Sequence, residues 1–167
     1  AWAWDIQNDR LVLAYIDGAN LKAQVGQFTA GASDSANTIT FSAAISLSTS
    51  LTTGGEPNVD LVYASQEQVL VCSYSTDGVY PKTQVLTVDV GNNNILTGPV
   101  VTAAGSSAAP ATNKLLYRAD TNTLHQFYNV YHTSSVIRKF TAHRLAISTG
   151  AATERKIDFL TTVQGPT

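Results

Sequence analysis

The sequence predicts an all-β fold of three four-stranded antiparallel meander repeats, and three observations carry that prediction. An aromatic residue is followed eleven places later by a second one three times over, as Trp4 and Tyr15, Tyr63 and Tyr74, Tyr117 and Tyr128. Each pair encloses a polar stretch and then a run of apolar residues alternating with small or polar ones, the period of a strand with one buried face. Leucine holds the seventh place after every leading aromatic, as Leu11, Leu70 and Leu124.

Each repeat opens with a hairpin, because the polar stretches Asp5 to Arg10, Ser65 to Gln68 and Arg118 to Thr123 are short enough only to reverse the chain. Asp17-Gly18 and Asp77-Gly78 follow the second strands, and Asp-Gly supplies the positive φ angles of a tight primed turn. The third copy has His132-Thr133-Ser134-Ser135 at that place. A third strand is read from Lys22-Ala23-Gln24-Val25 matching Lys82-Thr83-Gln84-Val85. In the third copy it is read from residues 137–142, which match Val25 to Ala30. Ile39 to Leu47 and Ile95 to Thr102 form fourth strands, framed by Asn, Gly and Pro; the third copy offers Leu145 to Ser148 or Lys156 to Val163, and we favour the latter.

The repeats span about 1–50, 60–102 and 114–163, with leading aromatics 59 and then 54 residues apart, a spacing that signals repeat architecture. Leu51 to Val59 and Ala103 to Asn113 are loops by composition and too short to separate independent beads, so residues 1–167 form a single domain. We expect the repeats to be β-propeller-like blades in an open arc, completed by further blades or by a second copy of the chain. The competing arrangement is a closed pseudo-threefold fold, a β-trefoil or β-prism. With no methionine, and Ala1-Trp2-Ala3-Trp4 opening inside a strand, we expect a piece of a longer chain or part of an oligomer.

Composition narrows the chemistry. A chain of 167 residues, 44% hydrophobic and 13% charged, can bury a core, and no apolar run reaches the length of a membrane span, so membrane insertion is not expected. The pI of 5.8 argues against nucleic acid. Residues 1–113 carry nine acidic and three basic groups, net −6, whereas residues 114–167 carry three acidic and seven basic ones, net +4. That asymmetry suits head-to-tail contact between copies or an anionic surface, and equally the solvated strand faces of Arg138, Lys139, Arg144, Arg155 and Lys156. The single Cys72 excludes an internal disulfide and reads as an inert packing residue. His125, His132 and His143 have no metal-ligand spacing, so no metal site or cofactor is expected. No G-x-S-x-G, P-loop or dinucleotide fingerprint occurs, and the scattered carboxylates do not single out a glycosidase pair, so the chain is read as non-enzymatic. Trp4, Tyr63 and Tyr117 could stack on sugar rings, but their regular recurrence favours shared packing.

Four successive antiparallel strands return the chain alternately to two ends. One end gathers Asp17 to Asn20, Asp77 to Tyr80 and His132 to Ser135 with the two connectors, and loops on a rigid scaffold are where recognition tends to sit. The candidate ligand-binding residues are therefore Asp17, Asn20, Asp77, Tyr80, His132 and Thr133.

The hairpin bracketed by aromatics, the Asp-Gly turn, the K-x-Q-V third strand and the fourth strands together carry a resemblance, most clearly in LVLAYIDGANLKAQVGQFTAG followed by NTITFSAAISLS. They resemble the propeller-type repeats of tail fibres and related structural proteins of tailed bacteriophages, notably marine ones. The resemblance covers nearly the whole chain through short motifs, and departs in the third copy, which lacks Asp-Gly. It implies a virion structural module, with other virion proteins or copies of itself as partners and a host surface glycan as the contact, and no catalytic residues. A secreted glycan-binding lectin and a propeller glycosidase are the other readings.

Overall fold

The computed structural model describes residues 1–49, 58–75, 81–103, 110–131 and 138–165. Strands dominate, and among the described residues a 3-10 turn at Asp34–Ala36 is the sole helical element. The first sheet comprises β1 (Trp2–Asp5), β2 (Arg10–Asp17), β3 (Asn20–Thr29), β4 (Thr38–Phe41) and β5 (Ile45–Ser48). The second holds β6 (Val59–Ala64), β7 (Val69–Tyr74), β8 (Lys82–Asp89), β9 (Asn94–Thr97) and β10 (Val101–Thr102). The third holds β11 (Pro110–Arg118), β12 (Thr123–Tyr131), β13 (Arg138–Ile147) and β14 (Ile157–Gln164). The first three strands of each sheet pair antiparallel in chain order, and every later strand of the sheet pairs antiparallel with the third, giving a meander three times.

The fourth strand is broken in the first two sheets, where a single run was expected. β4 and β5 both pair with β3, and β9 and β10 both pair with β8. At each break a third-strand glutamine binds the bent segment: Gln24 Nε2 donates to the Ser42 carbonyl at 2.9 Å, and Gln84 Nε2 to the Gly98 carbonyl at 2.7 Å. The glutamine of K-x-Q-V is thus explained by a structural task. In the third sheet β14 runs from Ile157 as favoured, with a bulge beside Leu145, while Leu145 to Ile147 belong to β13.

The ladders also correct the match of the third strand in the third copy. Leu13 pairs with Gln24, Cys72 with Gln84 and Gln126 with His143, so His143 stands where the other copies have glutamine. Val25 therefore corresponds to Arg144 and not to residue 137, a shift of seven (144 − 137). A six-residue match had outweighed the pairing, and pairing is what fixes register.

Four hairpin loops share one design. Residues 6–9, 65–68, 90–93 and 119–122 each end on a residue in the left-handed region, respectively Asp9, Gln68, Asn93 and Asn122, with φ between 47° and 55°. In two of them the residue before the loop clamps its third residue. Asp5 accepts from the Asn8 backbone N–H at 3.1 Å and side-chain amide at 2.8 Å, and Asp89 accepts from Asn92 in the same way. The turn after β2 is tighter: Asp17 pairs with Asn20, and of the two residues between them Gly18 alone carries positive φ, at 60°. Asp17 is thus the last strand residue and not a central turn residue, which corrects the expected Asp-Gly geometry. The corresponding Asp77-Gly78 lies outside the described residues.

The three sheets are stacked in chain order. β1 packs beside β6, and β6 beside β11. One apolar cluster joins Val12, Ala14, Ala23 and Val25 of the first sheet to Leu61, Leu70, Cys72 and Leu86 of the second. Another joins Val69, Val71 and Val85 of the second sheet to Leu115, Leu124, Leu145 and Ile157 of the third. The middle sheet is consequently covered on both sides, and all six residues of β7 are buried. The expectation of one buried face fails there because alternation in that strand merely separates two cores. A three-sheet prism would turn one face of every sheet to a common core, whereas here two separate cores flank the middle sheet, and Trp2, Phe28, Ile39, Phe41, Leu116 and Phe140 of the first and third sheets are exposed.

Candidate functional site: two open sheet faces and a stapled end

The ladder registers give most strand positions of one repeat an equivalent in the others. Two residues before the leading aromatic stand Trp2, Leu61 and Leu115, which are 68%, 5% and 7% exposed. On the fourth strand stand Ile39, Ile95 and Ile157, paired respectively with Phe28, Val88 and Ile147, and their exposures are 45%, 4% and 1%. Leu11 and Tyr15 are half-buried where Leu70, Leu124, Tyr74 and Tyr128 are buried. These positions of one sheet face are therefore apolar in all three copies. That face is covered in the second and third because a sheet precedes each of them, whereas in the first it is open. We call this the leading face. The opposite, following face is open in the third sheet, where Leu116, His125, Phe127, Phe140 and Arg144 line it. Phe127 stacks on Phe140 with ring centroids 5.8 Å apart, and His125 lies 6.1 Å from Phe127.

The end that carries the four-residue loops is stapled across sheets. The Gln7 backbone N–H donates to the Tyr63 hydroxyl at 3.3 Å, and the Gln66 N–H donates to the Tyr117 hydroxyl at 3.2 Å. Tyr63 and Tyr117 thus use their rings for packing and their hydroxyls to hold the preceding hairpin. Arg155 Nη1 donates to the Glu67 carbonyl, and Asn122 Nδ2 to Glu67 Oε1. An open cavity of about 480 Å³ between Gln66 to Gln68, Ile147 to Thr149 and Arg155 lies at this end.

Polar side chains also sit between the second and third sheets. Gln126 Nε2 lies within 2.6 Å of Ser73 Oγ, 3.0 Å of Thr83 Oγ1 and 3.2 Å of Asn113 Oδ1, and all four residues are buried. His143, also buried, bridges Tyr128 Oη and Thr162 Oγ1, each at 2.8 Å. Burial lowers its pKa below the ordinary histidine value, so the neutral ring is favoured. The signal for this network was present in the sequence as polar residues at core parity, Ser73 and Gln126, in otherwise apolar alternation. Burial pushes the Cys72 thiol up to about 12, which leaves it protonated and unreactive. Among the described residues no three His, Cys, Asp or Glu side chains are grouped to hold a metal, and no helix is long and apolar enough to cross a membrane.

Of the residues read from sequence as ligand contacts, the described part contains two. Asp17 is exposed and ion-paired to Lys22 at 2.5 Å, and Asn20 pairs with Asp17 across the tight turn. The two share one hairpin. Asp77, Tyr80, His132 and Thr133 lie outside the described residues. Comparison with protein families, curated proteins and solved structures found no match to this chain.

Proposed function

We propose that the chain is a non-enzymatic structural module of a virion, of tail-fibre type, whose three sheets act as propeller blades in an open arc. The observation that carries this reading is the stack itself: one sheet unit is used three times, and its faces and loops serve packing between sheets. The described polar clusters point the same way. Ser73, Gln126 and His143 face neighbouring sheets instead of solvent, and the Asp5 and Asp89 carboxylates are occupied in holding loops. The resemblance to phage fibre repeats supplies the virion location and the partners, namely other virion proteins.

In this reading a host surface glycan meets the end that carries Asp17 and Asn20, where loops rest on rigid strands. Antibodies raised against the chain test the location: they should detect it in tailed particles banded on a density gradient, and recovery solely from the soluble fraction would overturn it. A glycan array probed with the chain and with Asn20→Ala tests the contact. Turnover of chromogenic glycosides would instead revive the enzymatic reading.

A further inference from the structure

We propose that the open leading face of the first sheet docks on the open following face of the third sheet in a second copy of this chain, repeating the junction that the chain makes twice internally. Both internal junctions join a following face to a leading face: first sheet to second through Val12, Ala14 and Val25 against Leu70, Cys72 and Leu86, and second to third through Val69, Val71 and Val85 against Leu115, Leu124 and Leu145. Among the described residues, the leading face without a sheet on it belongs to the first sheet, and the uncovered following face belongs to the third. Contact between two first sheets would set leading face on leading face, an arrangement found at neither internal junction.

The chemistry of the two faces is complementary. The first sheet presents Trp2, Trp4, Leu11, Leu13, Tyr15 and Phe41. The third sheet presents Leu116, Phe127 and Phe140 for apolar contact, together with Arg118 and Arg144. Arg144 stands at the position of Val25 and Val85, which are buried against the next sheet, so docking would bring its guanidinium to a face rich in indole and phenol rings, the setting of a cation–π contact. The net charges are opposite in sign. The first 49 residues carry four acidic and two basic groups, net −2, against +4 for residues 114–167.

The hairpin staple cannot be repeated unchanged. At the internal junctions the backbone N–H of Gln7 or Gln66 meets a tyrosine hydroxyl acting as acceptor. At the proposed junction the leading aromatic is Trp4, whose indole can only donate, so the acceptor offered there is the Asp120 carboxylate, which stands at the place of Gln7 and Gln66 and accepts from Arg118 Nη2 at 2.6 Å within its own chain. Such a contact is heterologous, so the rotation between copies decides whether it closes a ring.

Sedimentation equilibrium of the full chain tests the proposal. The expected result is an assembly at multiples of the 17.7 kDa chain mass that dissociates on dilution. Trp2→Glu and Phe140→Glu should each raise the dissociation constant by about thirtyfold or more, the cost of losing an interface hot spot. An equimolar mixture of the two variants should form a dimer, because each retains the face that the other lacks. Ile39→Lys serves as a second first-sheet variant, and an unchanged strand circular dichroism spectrum shows that each variant folds. A wild-type monomer at every concentration would overturn the proposal. So would a Phe140→Glu assembly that stays intact while Trp2→Glu falls apart, since that pattern identifies contact between first sheets.

Discussion

Gly98 lies so close to the backbone of Arg155 that a Cβ built on it would meet the Arg155 carbonyl oxygen at 1.9 Å. The two residues belong to different sheets, and the approach is possible because the fourth strand breaks at Gly98 and leaves its carbonyl to Gln84. Gly98→Ala should therefore destabilise the chain by about 1–3 kcal/mol through overpacking, since its φ is not in the left-handed region and strain plays no part. A urea midpoint equal to that of the parent would show that the 155 segment yields freely.

Tyr63 separates packing from hydrogen bonding. Its ring lies against the core between the first two sheets, and its hydroxyl accepts from Gln7. Tyr63→Phe should cost about 1 kcal/mol or less, the usual worth of one partly solvated hydrogen bond. Tyr63→Ala should cost more, about 2–4 kcal/mol, because a large ring leaves an interface that is only half closed to solvent. Equal costs for the two substitutions in chemical denaturation would mean that the ring contributes nothing.

His143 should make stability depend on pH in one direction. Burial lowers its folded pKa below the unfolded value of about 6.5, so the unfolded chain binds the proton more readily. The contribution is fully present above the unfolded pKa and is lost as pH falls through that value toward the lower folded one. Protonation also turns both ring nitrogens into donors, so one of the bonds to Tyr128 and Thr162 must change its sense. Unfolding midpoints measured from pH 7.5 to pH 5 should decline more steeply for the parent than for His143→Gln. Parallel slopes would remove the histidine from the account.

Cys72 should report on opening of the first junction. The thiol is buried between the first two sheets and held protonated by desolvation, so a disulfide reagent should modify it no faster than the sheets separate. Labelling at the rate of a free thiol under native conditions would show that this junction opens readily. In urea the labelling rate should rise together with the loss of strand signal.

Much of the sheet architecture was legible because its signals are local. Alternation around Leu11, Leu70 and Leu124 marks strands through side-chain period, and the polar four-residue loops mark reversals through residues such as Asp9 and Asn122 that tolerate the left-handed region. The third strand of the third copy was misplaced because residues 137–142 look like residues 25–30, while its true register is set by Gln126 opposite His143 across the sheet. The candidate binding residues were argued from which end their turns occupy. The described structure adds that Asp17 is held by Lys22, a pairing five residues apart that a turn argument did not reach.

By itself the sequence determined most of the unit: its opening hairpin, its alternating first and second strands, and the apolar and polar parity of their positions, all of which follow from backbone geometry over a few residues. Only the tertiary structure decided which of these identical-looking faces are covered. Leu11 and Leu70 occupy the same place in the same pattern, yet the first is half-exposed and the second buried, because burial depends on whether another sheet lies against that face. Strand period fixes which side a residue points to, while stacking fixes what it meets there, and stacking is a relation between segments some sixty residues apart, as Gln7 and Tyr63 are.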